Sequence, residues 1–154
     1  MPDSRDQGSG TFLGIDYGRK GIGVAVGQKM IGTARALETI RATHREHVWS
    51  RLSLLVKTWV PEGFVVGTPV PLDENQPKNP LIEEIALFCS DLEARFGLPV
   101  HLMDEALSTR ESQSLFYAER RKRSVDFRQV KDQMAAALIL ETWLSHTANQ
   151  GARA

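Results

Sequence analysis

The sequence predicts an α/β domain: a five-stranded sheet of mixed strand directions with helices on both faces. Three observations lead there. Two glycine-bearing apolar segments, about 11–17 and 21–27, flank the short basic turn Gly18-Arg19-Lys20. Two stretches with apolar residues at helical spacing are each followed by a short apolar run, Phe64-Val65-Val66-Gly67 and Val100–Met103. A last segment, Met134–Leu140 with Trp143-Leu144, is too apolar for a helix lying on the surface. Hairpins followed by strand–helix alternation give a sheet that is antiparallel on one side and parallel on the other.

Residues 1–10 are polar and rich in Gly and Ser, and are expected to form a disordered tail. A third strand over about 31–40 follows a turn near Lys29 and completes an antiparallel meander. Val48, Leu52, Leu55 and Trp59 mark a helix over about 45–59, stopped by Pro61-Glu62-Gly63. Residues 68–80 hold four prolines and an Asp-Glu-Asn run, the composition of an irregular surface loop. Leu81, Ile85, Phe88, Leu92 and Phe96 define a second helix, closed by Gly97 and Pro99. Ser108 and Glu111 have capping-box spacing and open a helix to about 118. A charged loop over 119–128 and a final helix over about 129–147 follow, leaving 148–154 as a flexible tail. Residues 11–147 thus make one domain with a core of ordinary size.

Nineteen basic and nineteen acidic residues cancel, so a polyanion site has to come from local clustering. A single cysteine, Cys89, allows no internal disulfide and suits a reducing cytosol. With no signal-like start and no apolar run near 18 residues, a cytoplasmic protein without membrane association is expected.

The acidic residues carry the chemistry. A lone Asp in an apolar strand, as Asp16 is, is costly to bury without a balancing cation and is a candidate metal ligand. A tight hairpin whose Asp caps the turn is the simpler alternative. Asp104-Glu105 ends the fifth strand, and Asp132 falls in the first turn of the last helix, where the helix dipole alone would favour it. Ligands of open α/β sheets sit outside the carboxyl ends of strands, so the first two positions can share a crevice. Asp132 joins them only if the last helix packs its N-terminus beside the first strand. Three converging carboxylates repel unless divalent cations are bound, and two such ions roughly 4 Å apart serve in-line phosphodiester cleavage. Strand alternation leaves open which of Asp104 and Glu105 faces the metals.

Arg19 and Lys20 follow Asp16 directly, placed to touch phosphates. Arg110, Arg120, Arg121, Lys122, Arg123, Arg128 and Lys131 make the region before the last helix the most basic part of the chain. Phe116, Tyr117 and Phe127 are interleaved with it, either to stack on unpaired bases or to turn into the core. His44 and His47 lack a third ligand at metal spacing and read as surface residues; Cys89 reads as a core thiol, and His101 and His146 have no evident partners.

In Gly14-Ile15-Asp16-Tyr17-Gly18 with Ile22–Val26, Val65-Val66-Gly67-Thr68-Pro69, Asp104-Glu105-Ala106-Leu107-Ser108-Thr109, and Asp132 ahead of Ala135–Leu140, the chain resembles the YqgF/RuvX family over about Phe12 to Leu144. The resemblance implies an RNase H-like fold and a metal-dependent nuclease using two Mg²⁺ or Mn²⁺ ions, with its acidic triad on Asp16, Glu105 and Asp132. It implies nucleic acid as substrate, with processing of the 5′ end of precursor 16S rRNA favoured over resolution of four-way DNA junctions. Ribosomal assembly intermediates are the implied partners. A resolvase makes paired cuts as a two-fold dimer, whereas no heptads or exposed apolar stripe predict more than a monomer or weak homodimer. The chain departs from the family at Ala106, where Arg is usual, and at Lys131, where Val is usual. Ala106 and the neutral net charge favour a weakly catalytic or non-catalytic RNA-binding assembly factor as the alternative; the intact acidic set opposes it. ATP-clamping enzymes share the Gly-Ile-Asp-x-Gly hairpin but need two such domains, and 154 residues supply one.

Overall fold

The computed structural model describes residues 10–69, 79–105 and 127–152, with 114, 116 and 118 between them. Its elements run β1 (Thr11–Asp16), β2 (Gly21–Gln28), β3 (Ala34–Arg41), α1 (Arg45–Trp59), β4 (Gly63–Thr68), α2 (Pro80–Phe96), β5 (Val100–Asp104) and α3 (Phe127–Ala152). The strands form one sheet in the order β3-β2-β1-β4-β5. β2 pairs antiparallel with both β1 and β3, while β4 pairs parallel with both β1 and β5. Short turns permit only the antiparallel pairs; α1 and α2 carry the chain back across the sheet so that β4 and β5 run with β1.

Side chains alternate between the two faces, and each face has its own cover. Leu13, Ile15, Ile22, Val24, Phe64 and Val66 pack on Leu52, Leu55, Phe88 and Leu92 of α1 and α2. Phe12, Ala25, Val65 and Met103 pack on Ala136, Ala137, Leu140 and Leu144 of α3. Helices therefore cover both faces, two on one and α3 on the other.

Glycines on the α3 side bring that helix unusually close. A Cβ on Gly14 would lie 2.6 Å from Leu140 Cβ and 2.8 Å from the Ala136 carbonyl oxygen, and one on Gly23 would overlap the Asp132 carbonyl. Here helix backbone rests on strand backbone.

Several boundaries move. β3 begins at Ala34, because the chain is still turning at Met30 and Ile31, where Gly32 takes φ 75° and its N–H donates to the Gln28 carbonyl at 2.8 Å. The turn overrides the strand preference of Ile31, which is left 66% exposed. α2 starts at Pro80, with Asn79 as its cap accepting from the Leu81 N–H at 3.0 Å. α3 starts at Phe127 and continues to Ala152, so 148–152 are helical rather than a tail; no proline interrupts the segment, and extending a formed helix costs little. Phe116 is buried in the α3-side core and is unavailable for base stacking. The tail at 1–9, most of the 68–80 loop and the charged loop at 119–126 lie outside the described residues.

Gly23→Ala should cost about 3 kcal/mol of unfolding free energy, the upper range for overpacking, because the added methyl meets backbone that cannot rotate away. Gly97→Ala, at φ 63° with nothing within 4 Å, should cost only about 1 kcal/mol. Urea denaturation compares the two; equal losses would show that α3 is not seated on β2 backbone.

Candidate active site

Asp16 closes the central strand and shares the α3-facing side with Phe12 and Gly14. Being last in β1, it emerges where the parallel strands β1, β4 and β5 all end, with Thr68 and Asp104 paired at the ends of β4 and β5. Glu105 follows β5 directly, and its Oε1 lies 3.4 Å from the position a Cβ on Gly67 would take. Asp132 comes from α3. Because that helix begins at Phe127, Asp132 sits in the second turn rather than the first, and the dipole explanation for it falls away. Its Oδ2 lies 3.0 Å from where a Cβ on Gly21 would be, so the helix delivers it to the β1–β2 turn. Next to it, Gln133 Oε1 accepts from Thr39 Oγ1 at 3.4 Å, and further along Glu141 accepts from the Ala34 N–H at 3.1 Å, tying α3 to β3.

Electrostatics single out Asp16. Its carboxyl is pushed from its ordinary 3.8 up to about 7, first by burial, then by the charges of Glu105 and Asp132, with Lys131 pulling the other way. The Glu105 carboxyl is also raised, by burial and by Asp104. Asp16 thus feels both of the other acids. Among the described residues, however, no three His, Cys, Asp or Glu side chains gather closely enough to hold one ion between them.

A crevice of 490 Å³ opens beside Asp132, walled by the turn residues Gly18 to Gly21 and by Asn79, Pro80 and Leu81 at the start of α2. Sequence reasoning missed this α2 contribution, although Asn79-Pro80 is a recognisable helix start. Lys20 is exposed on the crevice wall. Arg19 shares that wall and is paired: its Nε donates to both Glu84 oxygens, at 3.0 and 3.1 Å. Lys131 is exposed and acts on Asp16. Arg110, Arg120, Arg121, Lys122 and Arg123 lie outside the described residues, as do Tyr117 and the side chains of Phe127 and Arg128.

Other candidates resolve into structure. His44 and His47 are exposed, His44 at the start of α1. His101 does have partners: its ring lies 4.9 Å from that of Trp143 and 6.2 Å from that of Phe12. Cys89 is half-buried, and burial pushes its thiol up to about 11, well away from reactivity. No helix among the described residues is long and apolar enough to cross a membrane.

Comparison with known proteins gives the family and the fold. A family model described as RuvX, Holliday junction resolvase, matches residues 10–146. The chain belongs to the RuvX family. A relative from Methylococcus capsulatus is 47% identical over 91% of each chain and carries the name "Putative pre-16S rRNA nuclease". Relatives of the same name from Azotobacter vinelandii and Escherichia coli are 42% and 38% identical, over 87% and 88% of this chain and 92% and 96% of theirs. Among solved structures, Thermus thermophilus RuvC in complex with a Holliday junction substrate superposes with a TM-score of 0.58 at 19% identity, over 86% of this chain and 91% of that one. Fowlpox virus resolvase bound to junction DNA gives 0.54 at 10% identity, over 89% of this chain and 98% of that one. These likenesses show that this RuvX chain has the RNase H-like fold.

The raised Asp16 carboxyl has a pH signature. Its folded value lies above its ordinary one, so between them the native protein keeps a proton the unfolded chain has released, and stability falls as pH rises. The loss begins above 3.8 and is complete above about 7. In EDTA, unfolding free energy should drop by about 2–3 kcal/mol more between pH 5 and 8 in the wild type than in Asp16→Asn. Parallel urea titrations of the two proteins check this; identical pH slopes would mean Asp16 titrates normally.

Proposed function

We propose that this protein is a divalent-metal-dependent nuclease that hydrolyses phosphodiester bonds at the 5′ end of precursor 16S rRNA in the cytoplasm. The observation that carries the reading is the half-buried Asp16 carboxyl at the strand ends, within electrostatic reach of Glu105 and Asp132 and pushed up to about 7. A protein gains nothing in stability from three acids so placed, whereas a cation would relieve them. The donors fit Mg²⁺ or Mn²⁺: all are hard carboxylate oxygens, supplied from the ends of β1 and β5 and from α3. Asp16, Glu105 and Asp132 would hold the metal, which when bound supplies an activated water and charge stabilisation at the leaving oxygen.

The chain's own groups do the rest. Lys20 and Arg19 line the crevice together with Asp132 and hold phosphates flanking the cut. Lys131 offsets carboxylate charge and keeps Asp16 ionisable near neutral pH. The basic residues Arg110, Arg120 to Arg123 and Arg128 add sequence-independent attraction for the RNA backbone. The choice of precursor rRNA rests on the name its relatives carry at 38–47% identity. The second reading, four-way DNA junctions, is favoured by the description of the family and by the RuvC likeness.

Purified protein and its Asp16→Asn and Asp132→Asn variants would be incubated with a 5′-extended 16S precursor and with a four-way DNA junction, with and without Mg²⁺ or Mn²⁺. Metal-dependent RNA cutting should fall at least about 100-fold in either variant, since loss of mere outer-shell support already costs 10–100-fold. RNA binding should hold or tighten as negative charge is removed. Paired cuts confined to the junction would replace the rRNA reading, and loss of binding together with cutting would overturn the metal-ligand assignment.

A further inference from the structure

A second hollow lies on the other face of the sheet at the β1–β2 turn, between that turn and helices α1 and α2. Its volume is 170 Å³, and its walls include Tyr17, Ile22, Trp49 and Phe88, with Arg19 and Arg45. The rings support one another: Tyr17 and Phe88 lie 5.0 Å apart, and Trp49 stacks on Phe88 at 5.5 Å and 21°. Trp49 and Phe88 are core residues, whereas Tyr17 is only half-buried. Such a hollow is below the usual range for drug-sized ligands and suits one planar ring system.

Two further observations identify the occupant. The aromatic wall matches a base, and the guanidinium groups of Arg19 and Arg45, which share the lining with the carboxylates Glu84 and Asp91, can meet the anionic backbone that carries it. Arg19 also walls the crevice that contains Asp132, so the hollow and the crevice adjoin at a single side chain. Glu84 engages that side chain through Nε, leaving its two terminal nitrogens outside the pair and the guanidinium anchored where the two spaces meet. We propose that the hollow receives one unpaired nucleobase of the substrate strand, next to the cut, stacked against Tyr17, while Arg19 meets the phosphate between base and scissile bond. The proposal rests on the nuclease reading and deepens it: one flanking nucleotide has to be unpaired.

The test uses RNA oligonucleotides spanning the 5′ end of 16S precursor, each with one abasic nucleotide near the cut. Affinity is measured in EDTA, and cutting separately with Mg²⁺ or Mn²⁺. One abasic position should weaken wild-type binding by about 5- to 100-fold, the value of one base–aromatic stack. Tyr17→Ala should weaken binding of intact RNA by a similar factor and become indifferent to that same position. Should Tyr17→Ala misfold by circular dichroism, Leu87→Glu substitutes for it, placing a carboxylate at a lining residue that is 68% exposed. No sensitive position, or penalties that simply multiply in the variant, overturns the base site; metal-dependent cutting lost in Asp16→Asn would then leave the nuclease reading standing. RNA neither bound nor cut by the wild type overturns both.

Discussion

The seating of α3 backbone directly on the backbone of β1 and β2 is the constraint on which the crevice depends. An ordinary helix–sheet contact keeps the two apart by the thickness of their side chains. Here Gly14 and Gly23 remove that spacer, and the carbonyls of Ala136 and Asp132 come down onto the strands. That closeness puts Asp132 at the β1–β2 turn and within electrostatic reach of Asp16. The same contact buries Ala136, Ala137 and Leu140 against Ala25 and Val65, so the apolar length of α3 stabilises the placement of its polar start.

Stability and chemistry pull against each other at this point. Burying Asp16 with two acidic neighbours costs free energy above neutral pH, and only Lys131 opposes that cost among the named influences on it. The sheet tolerates it because both faces are closed: Leu13 and Ile15 anchor β1 on one side while Phe12 anchors it on the other. Strand pairing thus holds the carboxyl at this position. Such local cost at an otherwise consistent fold is characteristic of functional sites.

The two spaces at the strand ends differ in what lines them. Asp132 of α3 enters the crevice that the start of α2 also walls, while the hollow by α1 and α2 gathers rings, with Tyr17 and Trp49 both against Phe88. Asp16 and Tyr17 are consecutive and point to opposite faces because side chains alternate along a strand. Arg19, two residues on, belongs to both spaces. A six-residue stretch, Ile15 to Lys20, therefore supplies an acid, an aromatic ring and two cations to adjoining surfaces.

Much of this was legible in the chain. The hairpins, the helix–strand alternation and the apolar faces followed from spacing, and Asp16 stood out because an acid in an apolar strand needs a reason. Family resemblance, not spacing, chose Glu105 over Asp104. The depth of Asp132 was not legible, since a two-residue shift in the helix start moved it from the first turn to the second. Nor was the Arg19–Glu84 pair, whose members are 65 residues apart, nor the burial of Phe116. By itself the sequence determined the elements, their pairing sense and the presence of acids at strand ends, because those depend on periodicity and local turns. Tertiary structure alone decided how near the acids stand and which rings face a cavity, because those distances depend on where α3 and α2 come to rest on the sheet.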